Sequence, residues 1–120
     1  MFYSLDILRM AQAFATHAGA RQTAIAQNIA NADTPGYRSR DAVPFNDYFD
    51  RVSSSRASGS PLRSEQLVRP DANPATRSPD GNTVSLEHEM MRGVEARHQH
   101  ELALGIYSSA RDLLRASIGR

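Results

Sequence analysis

The chain has 120 residues, enough for one domain of ordinary size and no second. Leu, Ile, Val and Phe number only 23, while 17 alanines favour helix but bury little area each, so the isolated monomer is expected to be marginally stable. Fourteen arginines against thirteen acidic residues leave a net charge of +1, spread from Arg9 to Arg120 rather than gathered into a nucleic-acid footprint, and with no cysteine there is neither a disulfide framework nor a thiolate metal site.

The opening MFYSLDILRMAQAFATHAGA lacks a basic start, and Asp6 and Arg9 interrupt what a cleaved signal would need as an apolar run. No stretch approaches the ~20 apolar residues of a membrane span. The expectation is a soluble chain, or one that leaves the cell by a route reading another signal. From Ser4 to about Ala32, Leu5, Leu8, Ala11, Ala15, Ala18, Ile25 and Ile29 recur at helical spacing, with Gln22 filling the missing step. One long helix is predicted, with Ser4 as N-cap and Asp6 in its first turn.

The helix runs into NIANADTPGYRSR. Asn28 and Asn31 lie three apart and share a side, and asparagine at a helix end can bond orphan backbone groups. Thr34 is pushed to an extended conformation by Pro35, and Pro35-Gly36 suits the centre of a type II turn. Tyr37 then offers an apolar ring with a polar tip. The segment stops the helix and redirects the chain.

Between Asp50 and Asp80 there are seven serines, four prolines and five arginines, with Val52, Leu62, Leu67 and Val68 as the only large aliphatics. A packed core cannot form there unaided, and a mobile insertion is predicted. Pro79-Asp80-Gly81-Asn82 reads as a turn, and Ser85 as an N-cap with Glu87 and Glu89 in the first turn after it. From Ser85 to Ile118 one helical line runs through Met91, Val94, His98, Leu102, Ile106, Ser109, Leu113 and Ala116. A second runs through Leu104, Tyr107, Ala110, Leu114 and Ile118, making the face broad.

These elements predict a mainly α fold: a long N-terminal helix within 1–34, a turn and irregular Ser/Pro/Arg-rich segment over 35–84, and a long C-terminal helix within 85–120, the two helices pairing as an antiparallel hairpin. Such a hairpin cannot cover both of its faces. Further chains must bury the rest.

No residues are assigned to catalysis, to a cofactor or to a metal. His98 and His100 point roughly 200° apart on a helix and cannot chelate together. Asp33-Thr34-Pro35-Gly36 lacks the paired β-turn setting of an aspartic protease, and the serine runs follow no strand and form no phosphate loop.

The motifs carry a resemblance. NIANADTPGYR, with Asn28, Ala30, Asn31, Thr34, Pro35, Gly36 and Tyr37, resembles the N-terminal signature of bacterial flagellar rod and hook axial proteins. DGNTVSLEHEMM, with Asp80, Gly81, Asn82, Val84, Leu86, Glu89 and Met90, is similar to the C-terminal region of those in the proximal rod. The resemblance covers about 1–49 and 79–120. Arg38 and Ser85 depart from the residues frequent in the family.

The resemblance implies a structural subunit of the rod, the drive shaft that crosses the periplasm, exported by the flagellar type III apparatus without a cleaved signal peptide. It implies that the two terminal helices pair as a coiled coil, and that the partners are other copies of the chain and neighbours such as FlgC, FliE and the MS-ring, with no nucleic acid and no membrane insertion. Leu5, Leu8, Ile25, Ile29, Val94, Leu102, Ile106, Leu113, Leu114 and Ile118 are the expected subunit interface. A second reading, a soluble helical adaptor such as a secretion chaperone or a nucleic-acid-binding hairpin, rests on Arg111, Arg115 and Arg120, which equally complement the helix C-terminus.

Overall fold

A computed structural model describes residues 2–60, 67–71 and 77–119, and three helices hold most of them. In chain order the elements are α1 (Phe2–Ala30), β1 (Arg40–Ala42), α2 (Phe45–Ser58), β2 (Val68–Pro70) and α3 (Leu86–Ser117). Among the described residues no helix is long and apolar enough to cross a membrane.

The fold is mainly helical, with the two long helices at the ends where the apolar spacing puts them. α1 already includes Phe2, so Ser4 lies inside the helix rather than capping it, and Asp6 falls beyond the first turn. α3 starts as expected, with Ser85 Oγ accepting from the His88 N–H at 3.4 Å and Glu87 and Glu89 in the first turn. Gln99 donates to the Phe14 carbonyl and Asn28 donates to Glu89, so the helices run alongside each other in opposite directions.

What meets between them is small. α1 buries Ala11, Ala18 and Ile25 at seven-residue spacing, and α3 buries Glu89, Ala96, Ala103 and Ala110 at the same spacing. A face of methyl groups lets backbones approach closely, so dispersion between well-packed atoms supplies what large side chains do not. The longer apolar line of α3 lies on the flanks of this seam, where Met91, Val94, Leu102 and Leu113 are exposed.

The irregular middle segment is corrected by the structure. Phe45, Tyr48, Phe49 and Val52 recur at i, i+3, i+4 and i+7, an amphipathic helical stripe, and they form α2. Pro44 precedes it and Gly59 ends it at φ 74°, donating its N–H to the Ser55 carbonyl. Tyr48 and Val43 pack with Ala13 of α1, and Phe45, Phe49, Val52 and Leu67 lean against this cluster. Ser53, Ser54 and Ser58 of α2 are exposed, so a Ser-rich composition hides a helix whose buried side is aromatic. β1 and β2 pair antiparallel, Asp41 opposite Arg69, extended by Val43 N–H to the Leu67 carbonyl and Asp71 N–H to the Ser39 carbonyl. The expected mobility over 61–66 and 72–76 lies outside the described residues.

Candidate functional site

The two sequence motifs are 43 residues or more apart along the chain and meet at one end of the helix pair. α1 ends as Asn31 turns back, its Nδ2 donating to the Gln27 carbonyl at 2.8 Å and its Oδ1 accepting from Thr34 Oγ1 at 3.1 Å. Gly36 takes φ 76° and the Tyr37 N–H donates to the Thr34 carbonyl, the geometry of a type II turn centred on Pro35-Gly36.

Asn82 comes from the other motif and closes that helix end. Its Nδ2 reaches the carbonyls of Asn31, Ala32 and Thr34 at 3.0, 2.9 and 2.8 Å, and its Oδ1 accepts from the Val84 N–H at 2.8 Å. A helix terminus leaves carbonyls without intrahelical partners. Here a fully buried amide supplied from about fifty residues downstream satisfies them. Asp80 shapes the loop that delivers it, with Oδ1 accepting from the Asn82 N–H and its carbonyl from the Gly36 N–H at 2.9 Å. Gly81, at φ 86°, passes so near that a Cβ there would lie 3.4 Å from Gly36 Cα. Thr83 continues the seam, its N–H donating to the Tyr37 carbonyl and its Oγ1 accepting from the Ser39 N–H at 2.7 Å.

Asn28 is the second node, completely buried one helical turn earlier. Its Nδ2 donates to the Arg40 carbonyl at 2.8 Å and to Glu89 Oε2 at 3.1 Å, while its Oδ1 accepts from the Arg40 N–H and the Tyr37 hydroxyl at 3.0 and 3.1 Å. Burial raises the Tyr37 pKa, with Glu89 adding to the rise and Arg40 opposing it, which keeps the phenol a donor. Glu89 also accepts from Arg92, whose guanidinium lies 2.6 Å from Asp71 Oδ2. Burial works against the Arg92 charge, but Asp71, Asp41 and Glu89 more than offset it, so the proton is held more tightly than usual. Among the described residues no buried side-chain nitrogen or oxygen lacks a hydrogen-bond partner.

A third node lies midway along α1. His17 Nε2–H donates to the Val43 carbonyl at 2.7 Å, and Nδ1 accepts from Gln99 Nε2 at 2.8 Å, an assignment of the neutral ring set by its partners. Phe45 and Tyr48 present their rings edge-on at 5.6 and 5.3 Å. Burial depresses the His17 pKa, the Val43 hydrogen bond opposes that, Arg21 adds to the depression and Asp41 opposes it.

The motif residues are thus brought together, with Asn28, Asn82, Val84 and Glu89 buried and Leu86 and Met90 left exposed. Of the ten residues expected to form a subunit interface, Ile25 sits inside the chain's own core and Leu8 and Leu114 are half-buried, while the other seven are exposed, up to 78% for Ile118. Sequence reasoning did not single out His17, Gln99, Arg92 or Thr83. His17 falls four residues after Ala13 and seven before Ala24, both buried, so helical spacing puts it on their face of α1.

The helix pair closed by this asparagine junction places the chain in a class. A family model described as flagella basal body rod protein matches residues 15–38, from the middle of α1 through the Pro35-Gly36 turn. The flagellar basal body rod protein FlgB of Escherichia coli strain K12 is 32% identical over 104 residues, covering 73% of this chain and 75% of the relative. The FlgB of Cereibacter sphaeroides is 37% identical over 97 residues, covering 70% and 73%. The FlgB of Agrobacterium fabrum is 26% identical across 97% of this chain and 95% of its own length, middle segment included. The chain belongs to the flagellar basal body rod protein FlgB family, which is structural and not enzymatic.

Proposed function

We propose that the chain is a subunit of the proximal rod and passes torque through helix packing. On this reading α1 and α3, with the flanks of 1–34 and 85–120, form the rod core as an antiparallel coiled coil, and 35–84 is an elaboration carried on its side. The observation that supports it most is the seven-residue alanine seam, which stiffens one side of each helix and leaves large apolar side chains turned outward on its flanks. A monomer gains nothing from that layout. A ring of neighbours buries it.

Leu5, Leu8, Ile29, Val94, Leu102, Ile106, Leu113, Leu114 and Ile118 are proposed to meet neighbouring subunits. The Asn28, Asn31, Thr34, Pro35, Gly36, Tyr37 junction with Asp80, Gly81, Asn82, Val84, Leu86, Glu89 and Met90 is proposed to fix the angle at which the side segment leaves the core. Other copies of the chain, FlgC, FliE and the MS-ring are the proposed neighbours, reached after type III export without a cleaved signal, within the periplasmic span of the basal body.

Leu113 is 64% exposed and part of no described core cluster. Replacing it with Asp is expected to abolish swimming when the variant is the cell's only copy, while the purified protein keeps its helical content and unfolding midpoint. Normal swimming by such cells would remove the proposed interface.

A further inference from the structure

α1 is flanked twice, by α3 along Ala11, Ala18 and Ile25 and by α2 on the side carrying Ala13. Between α1 and α2 lies an open groove of about 740 Å³, lined by the apolar Met10, Tyr48, Phe49 and Val52 and by Arg9 and Arg56, whose two charges outweigh the single carboxylate of Asp6. No ion pair among the described residues engages either arginine. Off the alanine seam, α3 carries a ridge of Leu86, Met90 and Val94, exposed by 51, 67 and 71% and spaced four apart on one face, with Glu87 bordering it.

We infer that the Leu86-Met90-Val94 ridge of one copy seats in the α1/α2 groove of a second copy, with Glu87 directed to its arginines. The inference rests on the rod-subunit reading and names one contact within it. Charge selects this ridge. Ile118, just past the end of α3, follows Arg115 by one turn and would set like charge against Arg9 and Arg56, while Leu104 has His100 and Ser108 four residues to either side and forms no apolar ridge. Leu102, Ile106 and Leu113 line a hollow of their own with Ile7 and are not a projecting knob. Methionine is flexible and polarisable, suited to an irregular apolar groove.

The placement also makes the contact directional. Asn28 bonded to Glu89 sets Met90 beside residue 27 of α1, whereas the groove centres near residue 11. At 1.5 Å per residue the two surfaces are offset by about 24 Å along the molecule. Ridge and groove are different surfaces, so a copy that fills one neighbour's groove keeps its own groove for the next, and the contact can repeat from copy to copy.

The chain has no cysteine, so single cysteines report the contact without background. Met90→Cys and Val52→Cys versions of the full chain, mixed and treated with a short bismaleimide, are expected to give a mixed covalent dimer several-fold above that from either variant alone. Adding Glu87→Arg to the Met90→Cys chain is expected to lower that yield about two- to fivefold, the scale of a surface charge pair, and Arg56→Glu in the Val52→Cys chain to recover it. Dimers from Met90→Cys alone at equal yield, or no mixed product, overturn the inference. If Leu113→Asp still abolishes swimming in that case, the ridge contact fails and the rod-subunit reading stands.

Discussion

Two buried side chains hold most of the responsibility at the residue scale. Asn82 donates to three carbonyls at the end of α1; those of Asn31 and Thr34 also accept from the Thr34 and Tyr37 N–H groups, so its removal strips the Ala32 carbonyl of its donor and empties a fully buried polar site, which costs about 2 kcal/mol. Asn82→Ala is therefore expected to lose that much in urea unfolding, whereas Ser78→Ala, at an exposed position, should stay within about 0.5 kcal/mol. Equal losses would show that the amide is not what closes the helix. His17 acts through protonation. Its pKa is lowered in the fold, so the unfolded chain binds the extra proton more readily, and the contribution of neutral His17 is complete above the unfolded value near 6.5 and lost as pH falls through the lower folded value. Protonation would set an Nδ1–H against the Gln99 amide that now donates to it. Stability measured from pH 8 downward is expected to fall more steeply below about 6.5 in the wild type than in His17→Gln. Parallel curves would exclude His17 as the titrating group.

At the scale of elements, α2 is the piece whose attachment is most local. It is held by Tyr48 and its aromatic neighbours against Ala13 and His17, with the strand pair beside it. Tyr48→Ala removes the centre of that cluster and is expected to cost about 3–5 kcal/mol, the range for deleting a buried ring. Trypsin should then cut at Arg51 and Arg56 well before it cuts within α1 or α3, and protection of both sites would mean that α2 is held by something else. The sequence makes the two long helices and the proline-glycine turn legible because each is a local pattern, of spacing or of backbone preference. α2 escapes a count of aliphatics because three of its four anchoring side chains are aromatic and its exposed side is serine. The alanine seam escapes for the opposite reason: weighting residues by size points to Leu and Val, whereas packing selects the positions where backbones come closest. DGN is visible as a motif, but a bond across fifty residues has no local signature.

Taken whole, the molecule is 62 Å long and 19 Å across its thinnest dimension, and fourteen large apolar side chains among the described residues stand exposed. So thin a body has no interior to hold them. Sedimentation velocity over a rising concentration series is expected to show association that Leu113→Asp diminishes, with the monomer favoured only in dilute solution. A single monomeric species throughout would count against a subunit whose burial is completed by neighbours.

The Asn82 closure also sets an order of events. A chain delivered amino end first can wind its first helix early, but the Ala32 carbonyl at its end waits for its donor until the final third of the polypeptide arrives. Fragments that stop short of residue 82 lack the amide that closes the end of α1. The fold thereby proofreads its own completeness.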